Sequence, residues 1–311
     1  MKSEKLSPRQ LAVAVMTGGL SAGAAAAGRA DWRWMLAAVP AGVAIGWLLL
    51  RRTGRRPLHP VLNVLYGVWG TVLMAEVLWR TASRIQTASG SRENTGWLLV
   101  VLAVPLIWMG WGKAAAFFRA VEILWLAVLV TVGAILLLGL PRVDWRWVME
   151  PAGSWWESML AGAGVLSAGL FILPHLGQVE AEPGGTHRGL VWLGTLGVLS
   201  AALGLLTAGL LSPAVAAQLD APFFAAAGLL GDSARLEGLV SALWLLPDLT
   251  LAGLLAHAWG KRRWPALAVI AALGLALTGI LGRLPEYTAP AGCLILAALT
   301  AVFPPGGRSS G

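Results

Sequence analysis

Charge is scarce in this 311-residue chain: Asp, Glu, Lys and Arg make up 12% of it, against 57% hydrophobic residues. A soluble domain carries roughly a quarter of its residues charged, so a water-covered fold is excluded and the chain reads as an integral membrane protein. Cysteine is nearly absent, and the single Cys293 excludes an intrachain disulfide and reads as a packing residue. Catalytic groupings are missing as well. There is no Gly-x-x-x-x-Gly-Lys-Ser/Thr phosphate loop, no Cys-x-x-Cys pair and no His-Glu-x-x-His spacing. The four histidines, His59, His175, His187 and His257, are scattered. Neither an enzyme nor a metal or other cofactor is expected.

What the chain has instead is continuous apolar sequence, without the alternation of lipid-facing strands, which excludes a barrel. The expected fold is all-α and integral to the membrane, one domain over residues 1–311 with about ten transmembrane helices. The spans read as 10–28, 34–50, 61–81, 96–112, 119–140, 161–178, 189–211, 236–258, 264–282 and 288–304. Basic residues flank these runs, as in Arg51, Arg52, Arg55 and Arg56 or Lys261, Arg262 and Arg263. That placement fits the positive-inside rule with both termini cytoplasmic, and argues against a nucleic-acid partner despite the net charge of +8. Arg80, Arg84 and Arg92 then fall on the outer side, beyond span three. Lys2, Lys5 and Arg9 before an apolar run ending in Ala24–Ala27 resemble a signal peptide, but Gly18 and Gly19 weaken its apolar core and the segment is expected to be retained. Residues 212–235 are too short and broken to span, and read as a helix lying on or dipping into the outer face.

Two hexapeptides stand out, Gly18-Gly19-Leu20-Ser21-Ala22-Gly23 in the first run and Gly164-Val165-Leu166-Ser167-Ala168-Gly169 in the sixth. One reading is a pair of interrupted helices in a transporter-like repeat, whose unwound backbone faces a substrate. The other is close helix packing through small residues. On the first reading Thr17, Gly18, Gly19, Ser21, Gly164, Ser167 and Gly169 line a substrate site, where half-helix N-termini attract a carboxylate. On the second, the hydroxyls bond back to their own helices.

Ionisable groups within apolar runs are costly unless paired or hydrated. Glu76 shares a helix face with Arg80, and Arg119 with Glu122, so each reads as a local pair, Glu76 with proton coupling as its alternative. Asp248 has no such neighbour, and Pro247 frees a backbone carbonyl beside it. It is the leading candidate for substrate or proton binding.

Several segments resemble the endospore germination permeases, the B subunits of nutrient germinant receptors. They are Leu6-Ser7-Pro8-Arg9-Gln10-Leu11, Phe118-Arg119-Ala120-Val121-Glu122-Ile123-Leu124, the stretch from Leu211 to Pro222, and Arg235-Leu236-Glu237-Gly238-Leu239 with Leu243-Trp244. The resemblance implies the amino acid-polyamine-organocation superfamily, a five-plus-five inverted repeat with interrupted helices 1 and 6, and a place in the bacterial cytoplasmic membrane or spore inner membrane. It also implies a small nutrient, an amino acid, as germinant, with a larger membrane subunit and a lipoprotein as partners. The sequence departs from that pattern in shorter loops and in lacking a lysine near Asp248. The alternatives are a free-standing proton- or sodium-coupled amino acid transporter and a non-transporting membrane scaffold.

Overall fold

The computed structural model describes residues 7–52, 60–89, 95–170, 185–231, 235–258, 264–283, 292–296 and 299–300. Within these the chain is helical, with no strand beyond an isolated bridge between Ala27 and Ala30. The elements are α1 (Pro8–Ala26), α2 (Trp32–Ala37), α3 (Val39–Arg52), α4 (Pro60–Ser89), α5 (Thr95–Trp111), α6 (Ala114–Gly139), α7 (Trp145–Met149) and α8 (Trp155–Leu170). They continue with α9 (Gly185–Leu211), α10 (Pro213–Ala216), α11 (Pro222–Gly228), α12 (Arg235–Leu243), α13 (Leu245–Ala258) and α14 (Trp264–Leu277). Four segments among the described residues are long and apolar enough to cross a bilayer: Val61–Ser89, Ala114–Arg142, Gly189–Leu211 and Leu236–His257. The second half of the expected sixth span, with Pro174 and His175, lies outside the described residues, as do His59 and most of the tenth span.

Local chemistry sets the helix boundaries. Ser7 and Gln10 form a capping box, in which Ser7 Oγ accepts from the Arg9 N–H at 3.3 Å while the Ser7 N–H donates to Gln10 Oε1 at 3.3 Å. Pro8 at the first helical position loses nothing, since its missing N–H would have had no helical acceptor. The Leu-Ser-Pro-Arg-Gln segment is thus a helix start in physical terms. Pro105 is carried within the continuous α5, but two other prolines coincide with breaks in the spans. Pro40 has no N–H for the Leu36 carbonyl, and α2 gives way to α3 at Ala38. Pro247 likewise leaves the Leu243 carbonyl without its helical donor, and the eighth span divides at Trp244 into α12 and α13.

The glycine hexapeptides do not interrupt their helices. α1 is continuous from Pro8 to Ala26 and α8 is helical from Trp155 to Leu170, so the expected unwinding at Gly18–Gly23 and Gly164–Gly169 is absent. The reason is contact with neighbours. A Cβ on Gly19 would overlap Leu196 of α9, one on Gly23 would lie 2.5 Å from Ser200 Oγ, and one on Gly18 would lie 3.3 Å from the Leu251 Cα of α13. On the α8 side, Gly162 admits the α2 backbone, where a Cβ would meet the Met35 Cα at 2.8 Å. Ala22, Ala26, Ala161, Val165 and Ala168 fill the rest of the seam between α1 and α8. Small residues let backbones approach here, and the helices keep their hydrogen bonds.

α1 is the central rod, packed against α6, α8, α9 and α13. α5 and α6 expose much of their apolar surface, including Val104, Trp108, Ile123, Leu126, Val130 and Leu137. Such a belt on a chain with few charges faces hydrocarbon. Glu122 of α6 pairs not with Arg119 but with Arg9 at the start of α1, at 2.9 Å. At the other end of α1 the chain turns at Gly28, whose φ of +83° suits glycine and whose missing Cβ makes room for Thr207 and Pro222. Asp31 then caps α2, accepting from the Arg33 N–H at 3.0 Å and pairing with the Arg33 guanidinium, while its own N–H donates to Ser158 Oγ at 2.9 Å. α10 and α11 cover this end of the bundle, where Arg29 Nη2 donates to the Leu219 and Asp220 carbonyls at 3.0 Å.

Two outcomes follow. Gly162→Ala drives a methyl into the α2 backbone and is expected to cost about 1–3 kcal/mol, seen as a lower Tm in detergent. Gly194→Ala, where a Cβ meets nothing within 4 Å, is expected to be neutral or slightly stabilising. Burial alone would raise the Asp31 carboxyl, but its hydrogen bonds and ion pair with Arg33 hold it below the usual value of 3.8. Its contribution is therefore present above that value and lost as pH falls through the lower folded-state value. Asp31→Asn should lower the Tm at neutral pH and converge with the wild type at low pH, which flattens the acid limb of its Tm-against-pH curve.

Candidate functional site

Asp248 opens α13, and Pro247 together with the break at Trp244 sets the direction from which its carboxylate enters the bundle. The residue is 1% exposed. A carboxylate so far from water is stable only with compensating charge and hydrogen bonds, and four side chains from two other helices supply them. Ser21 of α1 donates to Oδ1 at 2.6 Å, and Thr81 of α4 donates to Oδ2 at 2.9 Å. Arg84 Nη1 lies 2.7 Å from Oδ2, and Arg80 Nη2 lies 3.8 Å from Oδ1. Arg80 Nη2 also donates to Ser21 Oγ at 2.8 Å, and its Nη1 stands 3.5 Å from Glu76. Two guanidiniums and two carboxylates balance in formal charge.

The network sits in the half of the bundle nearer the Gly28 turn, since Ser21 is five residues, or about 8 Å along the axis, from the last residue of α1. α11 closes it from that side. The Phe224 ring lies 4.5 Å from Arg84 Cζ, in cation–π contact, and meets the Trp244 indole edge to face at 6.0 Å. Phe223 packs on the same indole at 4.7 Å.

The sequence-derived candidates separate into two groups. Ser21, Asp248 and, through Arg80, Glu76 come together. Two hydroxyls bond back to their own helices: Thr17 Oγ1 donates to the Val13 carbonyl at 2.7 Å and Ser167 Oγ to the Gly164 carbonyl at 3.0 Å. Gly18, Gly19 and Gly164 lie in continuous helix, where their N–H and C=O groups serve the helical ladder, and Gly169 lies in the last turn of α8. Arg84, Thr81 and Phe224 were missed. Arg84 had been placed outside the membrane because span three was ended at residue 81, whereas α4 runs on to Ser89 and Arg84 is 4% exposed. A signal was present: Glu76, Arg80 and Arg84 recur every four residues and so form one polar stripe on a helix. Among the described residues no three His, Cys, Asp or Glu side chains gather as a metal site.

No protein-family model matches the sequence, and no curated protein matches it. Among solved structures the fold is similar to that of Mhp1, a nucleobase-cation-symport-1 family transporter, in a closed conformation with bromovinylhydantoin bound. The TM-score is 0.62 at 15% identity, covering 95% of this chain and 75% of that one. At this identity the likeness is one of fold: the chain has the helical architecture of a membrane transporter.

Removing one partner of a buried ion pair leaves the other uncompensated, at about 3–5 kcal/mol. Asp248→Ala is therefore expected to lower the Tm of the detergent-purified protein strongly. The double change Asp248→Ala/Arg84→Met should recover much of that loss, and a recovery no larger than additivity would show that the two side chains do not interact.

Proposed function

We propose that this protein binds a small solute within the membrane and couples its binding to rearrangement of the helices around Asp248. The single observation that carries the reading is the buried, charge-balanced cluster of Ser21, Glu76, Arg80, Thr81, Arg84 and Asp248, which ties α1, α4 and α13 together in a transporter-type fold. Such a cluster is a two-state element. Neutralising Asp248 with a proton, or drawing Arg84 away toward a ligand, leaves buried cations without their counterion and favours separation of α13 from α4. Asp248 is the coupling group on this reading, with Glu76 as its neighbour through Arg80. The glycine seams let α1 tilt as a rod against α9 and α13, so Gly18 and Gly19 contribute mobility at the interface and not an unwound binding loop.

The finer identity that best fits the segments Leu6–Leu11, Phe118–Leu124, Leu211–Pro222 and Arg235–Trp244 is a germination permease. In that role the chain senses an amino acid germinant, works beside a larger membrane subunit and a lipoprotein, and retains a five-plus-five helix plan with both termini cytoplasmic. A cation-coupled transporter is the second reading, favoured by the fold it shares with a cation symporter.

The test is uptake and binding of labelled amino acids by the protein reconstituted alone into vesicles, with and without proton and sodium gradients. Gradient-dependent uptake supports the transporter; saturable binding without uptake supports the sensor. Asp248→Asn is expected to abolish ligand response in either case while folded protein remains. An unchanged response in that variant, or neither binding nor uptake in the wild type, overturns the proposal.

A further inference from the structure

Arg84 does not use all of its donors. Nη1 meets Asp248, but Nε and Nη2 are buried and have no hydrogen-bond partner. Those two N–H groups form one edge of the planar guanidinium, the fork whose spacing matches the two oxygens of a carboxylate. A buried charged donor left unmade carries its full desolvation penalty, and here two are left together. The surroundings repeat the pattern. Trp244 Nε1 and Ser241 Oγ are also buried without a partner. Ser241 lies on α12, three residues before Trp244 at the break, and α12 packs against both α4 and α11. The Phe224 ring touches both the guanidinium and the indole.

We propose that this place is a carboxylate-binding subsite. The solute's two oxygens accept from Arg84 Nε and Nη2, with Trp244 Nε1 and Ser241 Oγ as further donors, and its apolar or aromatic body lies against Phe224 and Trp244. Asp248 fixes the far side of the guanidinium so that its free edge is presented in one orientation. Admission is by displacement of α11. The segment leading to it starts at Ser212, whose φ of 60° and ψ of 151° belong to a conformation rarely held outside glycine, and it is held at its ends by Arg29 on the Leu219 and Asp220 carbonyls and Arg142 on the Leu229 carbonyl. The assignment names a ligand class for the solute-binding reading above, but it concerns equilibrium binding and does not need transport.

The experiment is tryptophan fluorescence and thermal-shift titration of the full-length protein in detergent with sodium benzoate, sodium acetate, benzamide and sodium chloride. Benzoate is expected to bind saturably and raise the Tm, acetate to bind more weakly, and benzamide and chloride to have no effect at equal concentration. Arg84→Lys keeps the charge facing Asp248 but loses the fork, and is expected to weaken benzoate by roughly tenfold to a hundredfold. Trp244→Phe keeps the ring and removes the donor; it should weaken benzoate several-fold and serves as the reading if Arg84→Lys does not fold. Thr17→Ala should leave binding unchanged. Equal responses to chloride or benzamide, no response to benzoate, or benzoate binding that survives both Arg84→Lys and Trp244→Phe would overturn the subsite. Benzoate binding that behaves as expected in a protein giving no uptake and no amino acid response would leave the subsite standing while removing the function proposed above.

Discussion

A carboxylate held away from water inside an apolar bundle is the constraint on which this molecule turns. Asp248 is compensated by two hydroxyls and two guanidiniums, and none of them belongs to its own helix. Meeting that requirement fixes the rotation of α4, which must turn the Glu76, Arg80 and Arg84 stripe inward, and the height of α1, which must bring Ser21 level with α13. Had any of these helices been rotated by half a turn, charge would face lipid, where its cost exceeds that of most packing defects.

Around that cluster the helices approach closely because glycine and alanine line the seams. Gly18, Gly19 and Gly23 give α1 contact with α9 and α13 so close that an added methyl group would push Leu251, Leu196 or Ser200 aside. Proline supplies the complementary device. Pro247 divides the eighth span so that α12 packs on α11, with Trp244 at the break against Phe223 and Phe224, while α13 carries Asp248 toward α4. Rigidity along α1 and a break in the eighth span together set a charged pair beneath an aromatic cover.

The helical, membrane-embedded character was legible because it depends on composition and run length, which need no partner. Asp248 was conspicuous for a related reason: a lone carboxylate in an apolar run must be compensated somewhere. What compensates it was not legible, since Ser21 and Asp248 are separated by 227 positions in sequence, and no local period relates residues on different helices. The hexapeptides were ambiguous because small residues serve unwinding and close packing equally well; the neighbours Leu196, Ser200 and Leu251 decide the matter, and only contact in space identifies them. Arg84 was misplaced by a boundary drawn eight residues early in α4, where polar residues resembled a loop although they form the inward face of a buried turn.

The sequence by itself determined that the chain lives in a bilayer as helices, that the first of them is capped at Ser7, and that Asp248 carries charge into the apolar interior beside Pro247, because caps, prolines and hydropathy act over a few neighbouring positions. Tertiary structure alone decided that α1 and α8 run unbroken through their glycines, that Glu122 pairs with Arg9, and that Asp248, Arg80, Arg84 and Ser21 form one cluster under Phe224. Those outcomes depend on which helix faces meet, and the meeting of faces is settled by the joint packing and charge balance of the whole bundle.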